Sequence, residues 1–305
     1  MEQASFAGQV FESMLPNLRK YYRPRSIEAT LRLLSANPVR CAVLAGGTHL
    51  LASSRRDVEE VVDISALKLK MVKRKNGDVC IGATATLQSI LENPRLRKFA
   101  DGILVEACHR NSVSRMIRNQ RTMGGEICAN WKRSDLAAVL LALNARVKLM
   151  NFSLEEKEML ISDFWSMPAF RAGKKGSGLV FPGLLLELIL PTPAPPFAAA
   201  YVHVEQIGSQ PSFVSSAAVL EFDENRQCGE ARVALSSFAD VPCRLPRLES
   251  FLKGKTLTPE SIESAGALGF DEIRPLVDSR ASGTYRQAVA PVLIRRVLYR
   301  CLKRL

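Results

Sequence analysis

The stretch VLAGGTHLLA, Val43 to Ala52, ends an apolar run in two glycines, a threonine and a histidine. Its glycines are adjacent, so it lacks the G-x-G-x-x-G spacing of a dinucleotide-binding strand-turn-helix unit. A strand that stops in Gly-Gly lets consecutive backbone N–H groups turn toward one point, because glycine tolerates positive φ and puts no side chain in the way. Such a nest binds oxyanions, and the Thr48 hydroxyl adds a donor. The same residues also suit a plain tight turn, and this stretch alone does not choose between the two.

Working outward, Arg40 to Gly47 reads as a short buried strand running into the glycine turn, and Val58 to Ser65 as a second strand. Met71 to Lys75 and Val79 to Ile81 flank Asn76-Gly77, the strongest hairpin signal in the chain. Upstream, Ser26 is placed to cap a helix carrying Leu31, Leu33 and Leu34 on its inner side and ending near Asn37-Pro38. Residues 1–20 read as an amphipathic helical lead. The order helix, strand, loop, strand, hairpin lacks the steady alternation of a doubly wound sheet.

A second glycine segment, RNQRTMGGE from Arg118 to Glu126, gathers two cations, an amide, a hydroxyl and Gly124-Gly125 within nine positions. It belongs to a polar stretch, His109 to Asn130, expected to separate two helices from a third. Before it come LQSILENPRL and FADGILVEACHR; after it comes the apolar helix DLAAVLLALNA, followed by the strand ARVKLMNF. Asp135 opens that apolar helix, either as an N-cap or, in a nucleotide site, as an acceptor for ribityl or ribose hydroxyls. The proline-rich PTPAPP, 191–196, marks a boundary. Beyond it strand-like runs (213–222, 231–235) precede helices at 245–252, 259–268 and 285–302.

Composition narrows the classes. A chain of 305 residues with 47% hydrophobic content builds two or three packed units. A net charge of +12 suits an anionic partner, be it a nucleotide cofactor, an acidic protein surface or nucleic acid. Solvated helix faces account for most basic clusters, so a nucleic-acid role is not expected. Seven scattered cysteines without a C-x-x-C pair read as reduced thiols, and with three histidines they offer no metal-ligand spacing. The longest apolar stretch, 178–191, contains Pro182 and Glu187 and is too short to span a bilayer. The N-terminus shows no apolar h-region, so a cytoplasmic protein is expected.

VLAGGTHLLA, IRNQRTMGGEICAN and DSRASGTYRQAVAPVLIRRVL resemble, in order and spacing, the flavin-binding medium subunit of molybdenum hydroxylases, the family of xanthine dehydrogenase and carbon monoxide dehydrogenase. YYRPRSIEATLRLL, VVDISALKLKMVKRKNGDVCIGATATL and PGLLLELILP extend the likeness over residues 21–305. The resemblance implies an α+β fold: a PCMH-type, vanillyl-alcohol-oxidase-like FAD-binding domain (21–191) of two α/β subdomains, about 21–77 and 78–191, and a C-terminal α+β domain (197–305). It implies FAD held by Leu44, Ala45, Gly46, Gly47, Thr48, His49 and Leu50 in the first loop. Ile117, Thr122, Gly124, Gly125 and Glu126 would serve in the second, with Asp135 as an FAD contact and Leu185 beside the flavin ring.

No catalytic residue and no metal ligand is expected in this chain. Molybdenum cofactor and [2Fe–2S] clusters would sit in a large and a small partner subunit, and electrons would leave through FAD to NAD⁺ or another acceptor. The chain departs from the family at His49, where a small polar residue is usual, and at Glu126, which replaces an asparagine; either Arg118 or Arg121 neutralises that carboxylate or it turns toward the ribityl hydroxyls as an acceptor. The Lys or Arg that follows the linker in the family is missing from YVHVEQIGSQPSF, where His203 stands. Trp131 suits stacking on adenine or packing, Arg280 a structural ion pair and Tyr285 helix packing. A scaffold subunit with reduced flavin turnover, and a stand-alone FAD oxidoreductase, are the competing readings.

Overall fold

A computed structural model describes residues 14–53, 55–112, 114–130, 134–167, 182–204, 212, 214–238, 241–272 and 282–305. Its first layer is a parallel sheet ordered β1-β3-β2, built from β1 (Lys20–Tyr22), β2 (Cys41–Leu44) and β3 (Glu60–Asp63). Helix α1 (Ile27–Ala36) covers it. Ser26 caps that helix by accepting from the Ala29 N–H at 3.1 Å, and Leu31 and Leu34 pack on Cys41, Val62 and Ile64.

β4 (Val72–Lys75) and β5 (Asp78–Gly82) form the expected hairpin, Asn76 and Gly77 both taking positive φ as a tight two-residue turn requires. They join β6 (Arg146–Asn151), β7 (Glu156–Leu160) and β8 (Gly183–Leu190) in an antiparallel sheet ordered β4-β5-β8-β6-β7. A register shift opposite Lys148-Leu149 leaves Leu186 unpaired, and this bulge resets the alternation of β8. Leu184 and Leu186 therefore reach the α1 core, whereas Leu185, Leu188 and Leu190 enter the larger one.

On that larger core lie α2 (Leu87–Glu92), α3 (Pro94–Lys98), α4 (Ile103–Asn111), α5 (Arg115–Gln120), the short α6 (Met123–Gly125), α7 (Asp135–Ala142) and α8 (Ile161–Ser166). The last unit is an antiparallel sheet of β9 (Phe197–Val204), β10 (Val214–Phe222), β11 (Cys228–Ser236) and β12 (Cys243–Arg244), ordered β12-β11-β10-β9. Helices α9 (Pro246–Leu252), α10 (Pro259–Asp271) and α11 (Gly283–Leu302) cover one face of it. Ala199, Tyr201, Ala217, Val219 and Ala234 on its other face join the larger core. Every residue of α7 is buried, as suits a helix held between two layers.

Several expectations are corrected. The helical lead fails over its described part: 14–19 are turns and bends, and Lys20–Tyr22 is a strand, because its pairing with Glu60–Val62 depends on sequence 40 residues away. Residues 1–13 lie outside the description. The subdomain boundary near 77 would cut the β4–β5 hairpin, both strands of which belong to the five-stranded sheet. FADGILVEACHR begins its helix only at Ile103, since Ala100, Asp101 and Gly102 take positive φ. LQSILENPRL divides at Asn93, which caps α3. The polar stretch 109–130 is largely helical rather than a loop. Tyr285 is 43% exposed on the first turn of α11, not a packing residue. Trp131 and Arg280 lie outside the described residues. None of the seven cysteines is disulfide-bonded, and among the described residues no helix is long and apolar enough to cross a membrane.

Candidate functional site

β2 delivers its last residue, Leu44, to the end of the parallel sheet, where the Leu44 carbonyl accepts from Ile64 at 2.9 Å. The chain then leaves the sheet. Gly47, at φ 72°, turns it, and Leu51 closes the turn by donating to the Gly47 carbonyl at 2.9 Å. Among the described residues, the N–H groups from Gly46 through Leu50 meet no backbone or side-chain acceptor. Five consecutive donors on a half-exposed loop form the nest that the glycines suggest.

The second segment lies directly against this loop. A methyl group built on Gly46 would come within 1.7 Å of the Gln120 carbonyl oxygen, so the missing side chain is what lets the two segments touch. The glycines of the second segment work differently from the sequence expectation. Gly124 donates to Ala83 at 2.8 Å and Gly125 to Thr122 Oγ1 at 3.2 Å, so both N–H groups are already used. They lie in the first turn of α6 rather than in a nest, and a methyl group on Gly124 would come within 2.9 Å of Ala83, so its missing side chain serves close packing. Thr122 keeps its hydroxyl proton available, and Ile117, within α5, is 42% exposed.

Charge is concentrated here. Glu126 is only 4% exposed, yet its carboxylate is well supplied: Arg121 Nε lies 3.2 Å from one oxygen, and Asn111 Nδ2 and Ser134 Oγ donate to the other at 2.7 and 3.0 Å. Of the two arginines proposed to neutralise it, the structure pairs Arg121 with it. Arg118 instead donates to Gln88 and to the Ser112 carbonyl. His49 feels both Glu126 and Arg121 across the gap. Burial, the largest influence, pushes its imidazole below the ordinary value, so it is neutral near pH 7.

Asp135 is placed where sequence reasoning does not anticipate. Ser134, not Asp135, occupies the N-cap position of α7. The Asp135 carboxylate is buried against the last unit, accepting from Ser212 Oγ at 3.0 Å with the Tyr201 and Ser215 hydroxyls facing it. Burial pushes its pKa up to about 6 against those hydroxyls. An acid whose pKa rises on folding binds its proton more tightly in the folded chain; its favourable contribution is largest below pH 4 and is lost as pH climbs through 6. Asp135→Asn is expected to flatten the pH dependence of the urea midpoint between pH 4 and 7 and to stabilise the chain at pH 7 by about 3 kcal/mol. Leu185, 7% exposed, packs within the core of the five-stranded sheet.

Sequence reasoning missed Asn111, whose signal is slight: a lone amide at the end of α4. It also missed the basic wall beside His203. There a pocket of about 300 Å³ is lined by Val202, His203, Arg296, Tyr299, Arg300 and Lys303, with the His203 ring stacked on Tyr201 at 5.5 Å. The cations of this pocket, Arg296, Arg300 and Lys303, all come from the terminal helix.

Comparisons with known proteins agree with this geometry. Residues 12–192 match the family described as the FAD binding domain in molybdopterin dehydrogenase, and residues 199–301 match the CO dehydrogenase flavoprotein C-terminal domain. The uncharacterized protein YgfM of Escherichia coli K12 is 30% identical over 278 residues, covering 91% of this chain and 94% of its own length. The glyceraldehyde dehydrogenase medium chain of Sulfolobus acidocaldarius is 26% identical, covering 92% and 97%. A chain of reconstituted CO dehydrogenase from Oligotropha carboxidovorans superposes with a TM-score of 0.83 at 24% identity, over 94% of this chain and 98% of that one. The α+β, PCMH-like architecture is therefore shared. Since the first match alone spans more than half of the sequence, the chain belongs to the FAD-binding family of molybdopterin dehydrogenases, as a flavoprotein component of an oxidoreductase.

Proposed function

We propose that this chain is the electron-transfer medium subunit of a heteromeric molybdenum hydroxylase. In this reading it takes electrons from [2Fe–2S] clusters of a small subunit, beside a molybdenum-binding large subunit, and passes them through FAD to NAD⁺ or another acceptor. The observation that carries it is the run of unpartnered N–H groups from Gly46 to Leu50, held against the Arg121–Glu126 segment by the Gly46–Gln120 contact. A pyrophosphate satisfies those donors, so the residues present fit FAD on their own geometry. When bound, the isoalloxazine supplies the one- and two-electron chemistry that joins iron–sulfur clusters to a hydride acceptor.

The protein's part is placement. Gly46, Gly47, Thr48, His49 and Leu50 would orient the pyrophosphate, with Leu44 and Ala45 setting the loop's exit from the sheet. Thr122 would add a hydroxyl and Arg121 a positive charge, with Gly124 and Gly125 in the first turn of α6 beside them. Ile117 offers an apolar surface, and Asp135 would act from behind through the wall it forms with Tyr201 rather than by facing phosphate. The reading of a scaffold that has lost flavin or acceptor turnover rests on Glu126 and on the cation missing after the linker; Arg121 beside Glu126 weakens the first of these grounds.

The test is a visible spectrum of the chain purified with its partner subunits. Flavin absorbance that bleaches on adding the complex's substrate supports the proposal; flavin that stays oxidised favours the scaffold, and activity of an isolated monomer favours a stand-alone enzyme. For the acceptor, the pocket beside His203 suits an anion such as NAD⁺. Arg296→Glu with Lys303→Glu is expected to raise KM for NAD⁺ about tenfold at low salt while FAD content stays unchanged, measured by steady-state kinetics. An unchanged KM would direct the acceptor elsewhere.

A further inference from the structure

The carboxylate at position 126 is unusual in a phosphate-binding segment, and the structure shows what makes it tolerable. Asn111, at the C-terminal end of α4 and 3% exposed, touches Arg121 and Glu126 of the second segment and Ser134 and Asp135 at the start of α7. Its Nδ2–H donates to Glu126 Oε2 at 2.7 Å. Its Oδ1 accepts from the Asp135 N–H at 3.3 Å and lies 3.1 Å from Ser134 Oγ, whose one proton it shares with Glu126. Its main-chain carbonyl accepts from Arg121 Nη1 at 3.0 Å. One amide thus uses donor and acceptor ends on both sides of the segment, and its backbone steers the arginine that neutralises the same carboxylate.

We infer that Asn111 is a positioning residue of the FAD site: it holds the Glu126 carboxylate inward, toward Ser134, and Arg121 beside it, so that the pyrophosphate meets the Gly46–Leu50 donors without an opposing negative charge. The inference rests on the proposed FAD role. An aliphatic residue at 111 would leave one Glu126 oxygen short of its closest donor, and a buried carboxylate missing a donor re-orients toward water. His49 of the first loop feels the charges of both Glu126 and Arg121, so the cofactor would lie between that loop and this segment. An aspartate at 111 would be worse, setting two carboxylates face to face.

The experiment is a titration of FAD into flavin-stripped complex, followed by quenching of flavin fluorescence, across a mutant cycle. Asn111→Ala is expected to weaken FAD binding roughly tenfold, and Asn111→Asp roughly a hundredfold, at pH 8. The decisive arm is rescue: Asn111→Ala combined with Glu126→Gln should bind FAD within about twofold of Glu126→Gln alone, because the misdirected charge is gone. A merely structural role for Asn111 predicts the opposite, a loss equal in both backgrounds, and would overturn the inference. Should Asn111→Ala not fold, Asn111→Asp against Asn111→Asp with Glu126→Gln reads the same coupling, thermal midpoints confirming that both are folded. Failure of the unaltered complex to bind FAD would instead refute the proposed function, so the two failures are separable.

Discussion

Gly46→Ala should purify folded and colourless. The substitution adds one methyl group, and the place it must occupy lies 1.7 Å from the Gln120 carbonyl oxygen and 2.6 Å from its carbon. Backbone atoms at that distance have no rotamer to change, so either the end of β2 or the C-terminal end of α5 must move. Strain of this kind costs about 1–3 kcal/mol, a modest loss for a chain of this size. Its consequence at the site is larger, because the five donors of the first loop and the charges of the second act on one ligand only while the segments touch. We expect FAD affinity to fall about a hundredfold, measured as flavin retained after gel filtration and by fluorescence titration. Gly229→Ala is the matched control: its added methyl would find nothing closer than 3.7 Å, and flavin content should not change.

The second large effect is expected at Arg121. Its guanidinium lies 3.2 Å from Glu126 and donates to the Asn111 carbonyl, while Glu126 itself is almost wholly enclosed. Arg121→Ala removes from that buried carboxylate the guanidinium that stands 3.2 Å away. Removing one partner of a buried pair costs about 3 kcal/mol or more, which chemical denaturation at pH 8 should show, together with loss of bound flavin. Arg121→Ala with Glu126→Gln should recover most of the stability, because the charge that needed a partner is no longer there. Equal losses in both backgrounds would mean that Arg121 contributes through packing, and the electrostatic account of the site would fail.

What the sequence discloses divides along physical lines. Local signals are legible: the Asn76-Gly77 hairpin, the Ser26 cap, the strand that ends in Gly46-Gly47 and the three final helices all depend on residues within a few positions of one another. β1 is not legible, because Lys20–Tyr22 becomes a strand only through a parallel partner far along the chain. α5 is hidden because Met116 and Ile117 face outward at 76% and 42% exposure, which erases the apolar stripe that announces a helix. At the site, the adjacency of the two glycine segments follows from their resemblance to a known pattern. The division of labour between them does not: nothing local in RTMGGE says that its glycine N–H groups are consumed by Ala83 and Thr122. Asp135 shows the same limit, since its orientation is set by Ser212 and Tyr201, residues of another layer.

The central claim is that two touching segments, one rich in free N–H donors and one carrying a neutralised carboxylate, hold the pyrophosphate of FAD. Its most direct test is the FAD content of the chain purified with its partner subunits, together with displacement of that FAD by inorganic pyrophosphate. The account predicts a yellow protein with one FAD per chain, released by pyrophosphate in the unaltered chain and absent from Gly46→Ala. A folded, fully assembled complex that binds no FAD, or whose FAD is unaffected by the Gly46 substitution, would contradict it.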